Sequence, residues 1–240
     1  MLKVFAENFG SQFGIKSKAP GVASRNPASD PIGRERQDAM QCQNCFRSQF
    51  DGAKLHRCSG CKIEFYCSRE CQKEAWQGHK VKCKLNQRVA LLEPEQRDSH
   101  TLLRAFCTKH RPTITVAAAC ALKLYQSPEL SLTHVAQIHV YTRKASKRTE
   151  TAFYAVEIDI TPIDDFPKEM AEELKGQMAT ARAKCVKVGG EGLLYVLVQC
   201  LDTSVANMIG SGFTQETILE EYEENWKEVA LKRLNEGIML

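Results

Sequence analysis

The chain has 240 residues, 43% of them hydrophobic and 26% charged, the balance of an ordinary globular protein with room for a sizeable core. Its formal charge of +4 is too small an excess for strong nonspecific attraction to nucleic acid, and no apolar run approaches the roughly 20 residues of a membrane helix. Eleven cysteines, with no basic-then-apolar leader, argue against a secreted disulfide framework. They point to a reducing intracellular compartment, nucleus or cytoplasm.

Residues 1–41 read as a disordered tail, because Pro20, Gly21, Pro27, Pro31 and Gly33 interrupt any period. Alternatively, Phe5, Phe9 and Phe13 would form one face of a short amphipathic helix docked on the body or on a partner.

Residues 42–83 carry Cys42-x2-Cys45, Cys58-x2-Cys61, Cys67-x3-Cys71 and His79-x3-Cys83. Eight such ligands suffice for two tetrahedral zinc sites with no open position, so the Zn2+ ions would be structural. A stretch this short, with few large apolar side chains, would draw most of its folding free energy from metal, on the order of 10 kcal/mol per site. With two zincs and seven thiolates the net charge falls to about +1. The paired Cys-x2-Cys motifs suit tight turns, and ligands four apart suit one face of a helix. Ser68 is placed to cap a helix from Arg69 through Gln77 that Gly78 ends, with a second short helix carrying His79 and Cys83.

The run Tyr66-Cys67-Ser68-x2-Cys71-Gln72-x3-Trp76-x2-His79-x3-Cys83 completes a pattern that resembles the MYND-type zinc finger, over about a sixth of the chain. The resemblance implies cross-bracing, with Cys42, Cys45, Cys67 and Cys71 on one zinc and Cys58, Cys61, His79 and Cys83 on the other. It also implies a protein partner, a short proline-containing segment, in a groove lined by Ser59, Gln72 and Trp76. An exposed indole is a flat platform for a proline ring, and a glutamine can pair an extended backbone. Equally, Trp76 could be the miniature core of the finger.

Residues 84–98 form a charged connector interrupted at Pro94. Ser99 is placed to cap a helix reaching about His110, and Pro112 opens another whose face is Ile114, Ala117, Ala118 and Ala121. Alternation at Ala136, Ile138 and Val140, and again from Ala152 to Ile160, predicts an antiparallel pair of strands joined by the basic loop 143–150. Phe166, Met170, Leu174 and Met178 mark a helix, and the apolar run 193–198 marks a central strand. Thr214 is placed to cap a final helix with Ile218, Tyr222, Trp226 and Val229 on one stripe, ended by Gly237. The expected fold is a small cross-braced two-zinc finger followed by an α+β domain, residues 99–240. About three strands, antiparallel in part, and four or more helices would build that domain.

No catalytic signature is legible. There is no Asn-His-Ser-Cys stretch of the kind that accompanies MYND fingers in SET methyltransferases, no histidine followed two residues later by a carboxylate, and no phosphate-cradling glycine loop. Cys107 and His110 read as packing residues. The sequence therefore reads as a non-enzymatic adaptor for protein–protein interaction, by resemblance in transcriptional or chromatin complexes. The rival is an enzyme whose active site lies in residues 100–240, which a buried acid or base in a pocket would favour. A weaker rival is a nucleic-acid binder.

Overall fold

The computed structural model describes residues 19–21, 25–30, 33–89, 93–144, 146–187, 189–203, 205–214 and 224–240. Phe5, Phe9 and Phe13 lie outside this set. So does the stretch 215–223, on which the Thr214-capped start of the last helix was expected.

The first elements are α1 (Arg34–Ala39), the two-residue strands β1 (His56–Arg57) and β2 (Phe65–Tyr66), and α2 (Arg69–Arg88). The strands pair antiparallel, His56 opposite Tyr66. Ser68 caps α2, its hydroxyl accepting from the Cys71 N–H at 3.1 Å. Two short helices were expected here, but α2 is one helix of 20 residues that runs through Gly78. An interior glycine costs about 1 kcal/mol relative to alanine, and ligands of both metal groups lie along this helix to offset it.

The body follows as α3 (Pro94–Lys109), α4 (Arg111–Ala121), β3 (His134–Thr142), β4 (Phe153–Pro162), α5 (Lys168–Lys187), β5 (Gly192–Cys200), β6 (Val205–Phe213) and α6 (Trp226–Glu236). Pro94 does not break a connector: it starts α3, where its missing N–H costs nothing. The sheet runs in the order β4-β3-β5-β6, antiparallel at both outer pairs and parallel between β3 and β5. Helix α5 makes the crossover.

The body is α+β, with four strands among the described residues rather than three. The missed strand, β6, reads Val-Ala-Asn-Met-Ile-Gly-Ser-Gly-Phe and shows neither alternation nor an apolar run. Strand β5 is buried along its whole length. Leu194, Val196, Val198 and Cys200 face a core shared with α3, α4 and α6, whereas Leu193, Tyr195 and Leu197 face a second core under α5.

Part of the expected tail is structured. Arg36 of α1 donates to the Lys109 carbonyl, the Asn26 amide donates to Glu236, and the Asp30 N–H donates to the Met239 carbonyl. These anchors are hydrogen bonds to distant backbone and side chains, so no apolar stripe announces them.

His110, at the α3–α4 junction, is fully buried with Nε2 2.8 Å from the Glu150 carbonyl oxygen. Burial pushes its pKa down to about 4, and burial together with Arg104 does the same for His100. An unfolded histidine titrates near 6.5. Between about pH 6.5 and 4 the unfolded chain therefore binds protons that the fold refuses, and stability falls with pH by about 1.4 kcal/mol per unit for each group. Urea unfolding should show this decline, and His110→Gln should remove one proton's worth of the slope; an unchanged slope would mean that His110 is free to charge in the fold.

Candidate metal centres and the cavity beside them

The hairpin and the start of α2 bring the eight sequence-predicted ligands into two groups: Cys42, Cys45, Cys67 and Cys71, and Cys58, Cys61, His79 and Cys83. Within each group the donor atoms lie within 4.8 Å of one another. The Cys45–Cys67 and Cys67–Cys71 sulfurs are 3.5 Å apart, Cys58 and Cys83 are 3.9 Å apart, and Cys61 Sγ is 3.6 Å from His79 Nε2. A tetrahedron with Zn–S bonds near 2.3 Å has edges of about 3.8 Å. Four soft or borderline donors at that spacing, with no carboxylate among them, fit two zinc ions.

Glu64 organises the second group, and no pattern in the sequence singled it out. Its Oε2 lies 2.7 Å from His79 Nδ1 and accepts from the Tyr66 hydroxyl at 2.8 Å; its Oε1 is 2.8 Å from Lys82 Nζ. Burial opposes the Glu64 charge, but Lys82 and His79 outweigh it and hold the carboxyl well below the usual range. A carboxylate on Nδ1 fixes the tautomer that leaves Nε2 free for metal. The Gln72 and Gln87 amides donate to Cys58 Sγ at 3.4 Å and Cys83 Sγ at 3.5 Å, which damps the negative charge of the thiolates.

Of the three expected groove residues, Ser59 is exposed in the turn after Cys58. Gln72 reaches the same turn through its bond to Cys58. Trp76 stands one helical turn further on, 40% exposed, with its edge toward His79 at 6.1 Å between ring centroids. The finger's buried aromatic is Tyr66.

A cavity of ≈ 300 Å³ opens where the finger meets the body. From the finger and α2 come Glu64, Phe65, Lys82 and Asn86; from α3 and α4, His100, Arg104, Cys107 and Arg111; from α5, Met170 and Leu174; from the sheet, Tyr195 and Met208. Burial lowers the Arg111 pKa to about 10 and pushes the Cys107 thiol up to about 12. This constellation spans elements more than a hundred residues apart, and sequence reasoning missed it.

Residues 42–83 match the sequence model of the MYND finger. A SET and MYND domain-containing protein of Dictyostelium discoideum is 44% identical over 50 residues, covering 20% of this chain and 9% of that protein. Human histone-lysine N-methyltransferase SMYD1 is 52% identical over 42 residues, 18% of this chain and 8% of its own. Histone-lysine N-methyltransferase ASHR1 of Arabidopsis thaliana is 27% identical over 103 residues, 41% and 20%. The chain thus spans a small fraction of the length of the relatives it matches. No solved structure matches it significantly.

The finger is a MYND finger, a protein-interaction zinc module, with two zinc sites. The expectation that the chain is no enzyme is overturned: proteins that share its finger are named as methyltransferases, and a missing short motif does not argue against a site assembled from distant elements. Among the described residues, no helix is long and apolar enough to cross a membrane.

Glu64→Ala should weaken zinc at the Cys58 group about 10- to 100-fold and leave the Cys42 group close to wild type. A chelator-competition titration should then show two separated release steps; a single unshifted step would mean that Glu64 does not support His79.

Proposed function

We propose that the chain is an enzyme acting on proteins, with the MYND finger as the arm that engages a partner and the cavity beside it as the active site. In this reading one zinc sits on Cys42, Cys45, Cys67 and Cys71, the other on Cys58, Cys61, His79 and Cys83, and both are structural. The cavity carries the proposal: ionisable groups displaced from their ordinary pKa values, in a pocket of ligand-binding size, mark the usual place for chemistry. The names of the relatives put methyl transfer to a lysine first among the reactions to assay.

The finger would hold a short, extended, proline-containing segment. Trp76 supports this, because an indole held in place by His79 but left open to solvent is a ready platform for a proline ring. Gln72 would serve both the Cys58 sulfur and the bound backbone, and Ser59 would close the groove. The protein would work inside the cell, in nucleus or cytoplasm, with residues 42–83 and 99–240 as its two folding units.

The zinc-loaded full chain should transfer label from S-adenosylmethionine to lysines of core histones, and Tyr195→Phe in the cavity wall should reduce that transfer at unchanged zinc content. Absence of label on every histone would remove methyl transfer from this reading. Trp76→Ala should keep two zincs and weaken a proline-containing peptide at least fivefold by fluorescence titration; loss of zinc would instead make Trp76 a core residue.

A further inference from the structure

We propose that the seam cavity binds a small amphipathic anion, its carboxylate or phosphoryl group held by Arg104 and Arg111 and its apolar part laid against Tyr195, Met170 and Leu174. This rests on the reading of the cavity as a ligand site, though not on methyl transfer.

Three cations line the cavity, Lys82, Arg104 and Arg111, against two carboxylates, Glu64 and Glu173. Glu64 is engaged by Lys82, His79 and Tyr66. Glu173 is an exposed residue of α5 that accepts from Gln177. Neither guanidinium has a carboxylate within ion-pair distance among the described residues. Arg111 donates to the Gly210 carbonyl at 2.6 Å and Arg104 to Asn86 Oδ1 at 2.7 Å. The buried Nε atoms of both arginines, and Asn86 Nδ2, find no acceptor among the described residues.

A guanidinium carries five N–H donors in a planar fork matched to carboxylate and phosphate oxygens. The structure gives one terminal nitrogen of each fork a partner, so the two arginines keep further terminal N–H groups that an oxyanion in the cavity pairs with, and the low local dielectric strengthens the pairing. Apolar side chains also line the cavity: Met170 and Leu174 come from α5, beside Glu173 and Gln177, and Tyr195 and Met208 from the sheet. A ligand with one charged end and one apolar end fits this mixed lining. At ≈ 300 Å³ the space is at the small end of ligand pockets, so the ligand is either a small free acid or the carboxylate end of a polypeptide.

The test is calorimetric titration of the zinc-loaded full chain with phenyl phosphate, benzoate and, as the neutral control, benzyl alcohol. One or both anions should bind below millimolar Kd and the alcohol should not. Arg111→Gln and Arg104→Gln should each weaken the anion at least tenfold, whereas Lys73→Gln, on the exposed face of α2, should not. Should the glutamine variants misfold, protection of Arg104 and Arg111 from phenylglyoxal by the bound anion, read by mass spectrometry on the wild-type chain, decides the matter. A peptide ending in a phenylalanine carboxylate separates the two sources: competition with the anion indicates a polypeptide end, and its failure beside a binding free acid indicates a small molecule. No binding of either anion at millimolar concentration, or equal binding to the glutamine variants, overturns the proposal. Anion binding without methyl transfer would leave this site standing and sink the transferase reading; transfer without anion binding would do the reverse.

Discussion

Both metal groups depend on one helix. Cys71 of the first group and His79 and Cys83 of the second all lie on α2. At 1.5 Å per residue, Cys71 and His79 are about 12 Å apart along its axis. Neither group can close unless the helix is formed, and a helix of this polarity, with a glycine inside it, has little to hold it except the metals. Glu64 adds a second tie, joining the β1–β2 hairpin to α2 through His79 and Lys82. Metal loading and helix formation are therefore coupled at each group, the first bearing on the opening turn of the helix and the second on its middle.

The constraint extends into the body. Past the last ligand, α2 places Asn86 beside Arg104 of α3, so the metal-held helix supplies one wall of the seam cavity. On the other side of the finger, Lys184 of α5 donates to Asn44, which in turn donates to Glu74 of α2. Phe46 lies over Gly212 of β6, where an added Cβ would come within 3.1 Å of its ring. Gln41 exchanges two hydrogen bonds with the backbone of the same glycine. The cavity thus has its shape because the finger is seated on the body, and metal, helix and pocket form one chain of dependence.

That chain also explains what the sequence could show. Ligand spacing is local, so the stretch Cys42 to Cys83 was legible, as were the alternating strands β3 and β4 and the apolar run of β5. Gly78 misled, because a glycine that ends most helices is here carried by ligands on both sides of it. Pro94 misled in the opposite sense, since the same residue that breaks a helix interior starts one well. Strand β6 was hidden by Gly210 and Gly212, which leave no side chains to alternate. Glu64, Arg104 and Arg111 were unreadable for a deeper reason: each is one charge among many in the sequence, and only folding decides which charges meet a partner.

Ion pairs buried for stability alone are poor value, since apolar residues of similar volume often do as well or better. Two half-buried guanidiniums with no carboxylate in ion-pair contact among the described residues are worse still, because burial outweighs the more distant attraction of Glu64 and the cysteines. Burial already lowers the pKa of both. Everything around them follows the ordinary rules: Lys82 has Glu64, Lys109 has Glu150, and the sheet faces are apolar. Arg143 is also buried without an ion pair among the described residues, but it donates to the Asn235 carbonyl and stacks on Tyr154; Arg104 and Arg111 instead share a cavity next to the finger, and such a place is where a fold gives up stability for binding. The arginines are explained by what enters the cavity, since nothing described in the protein itself completes them.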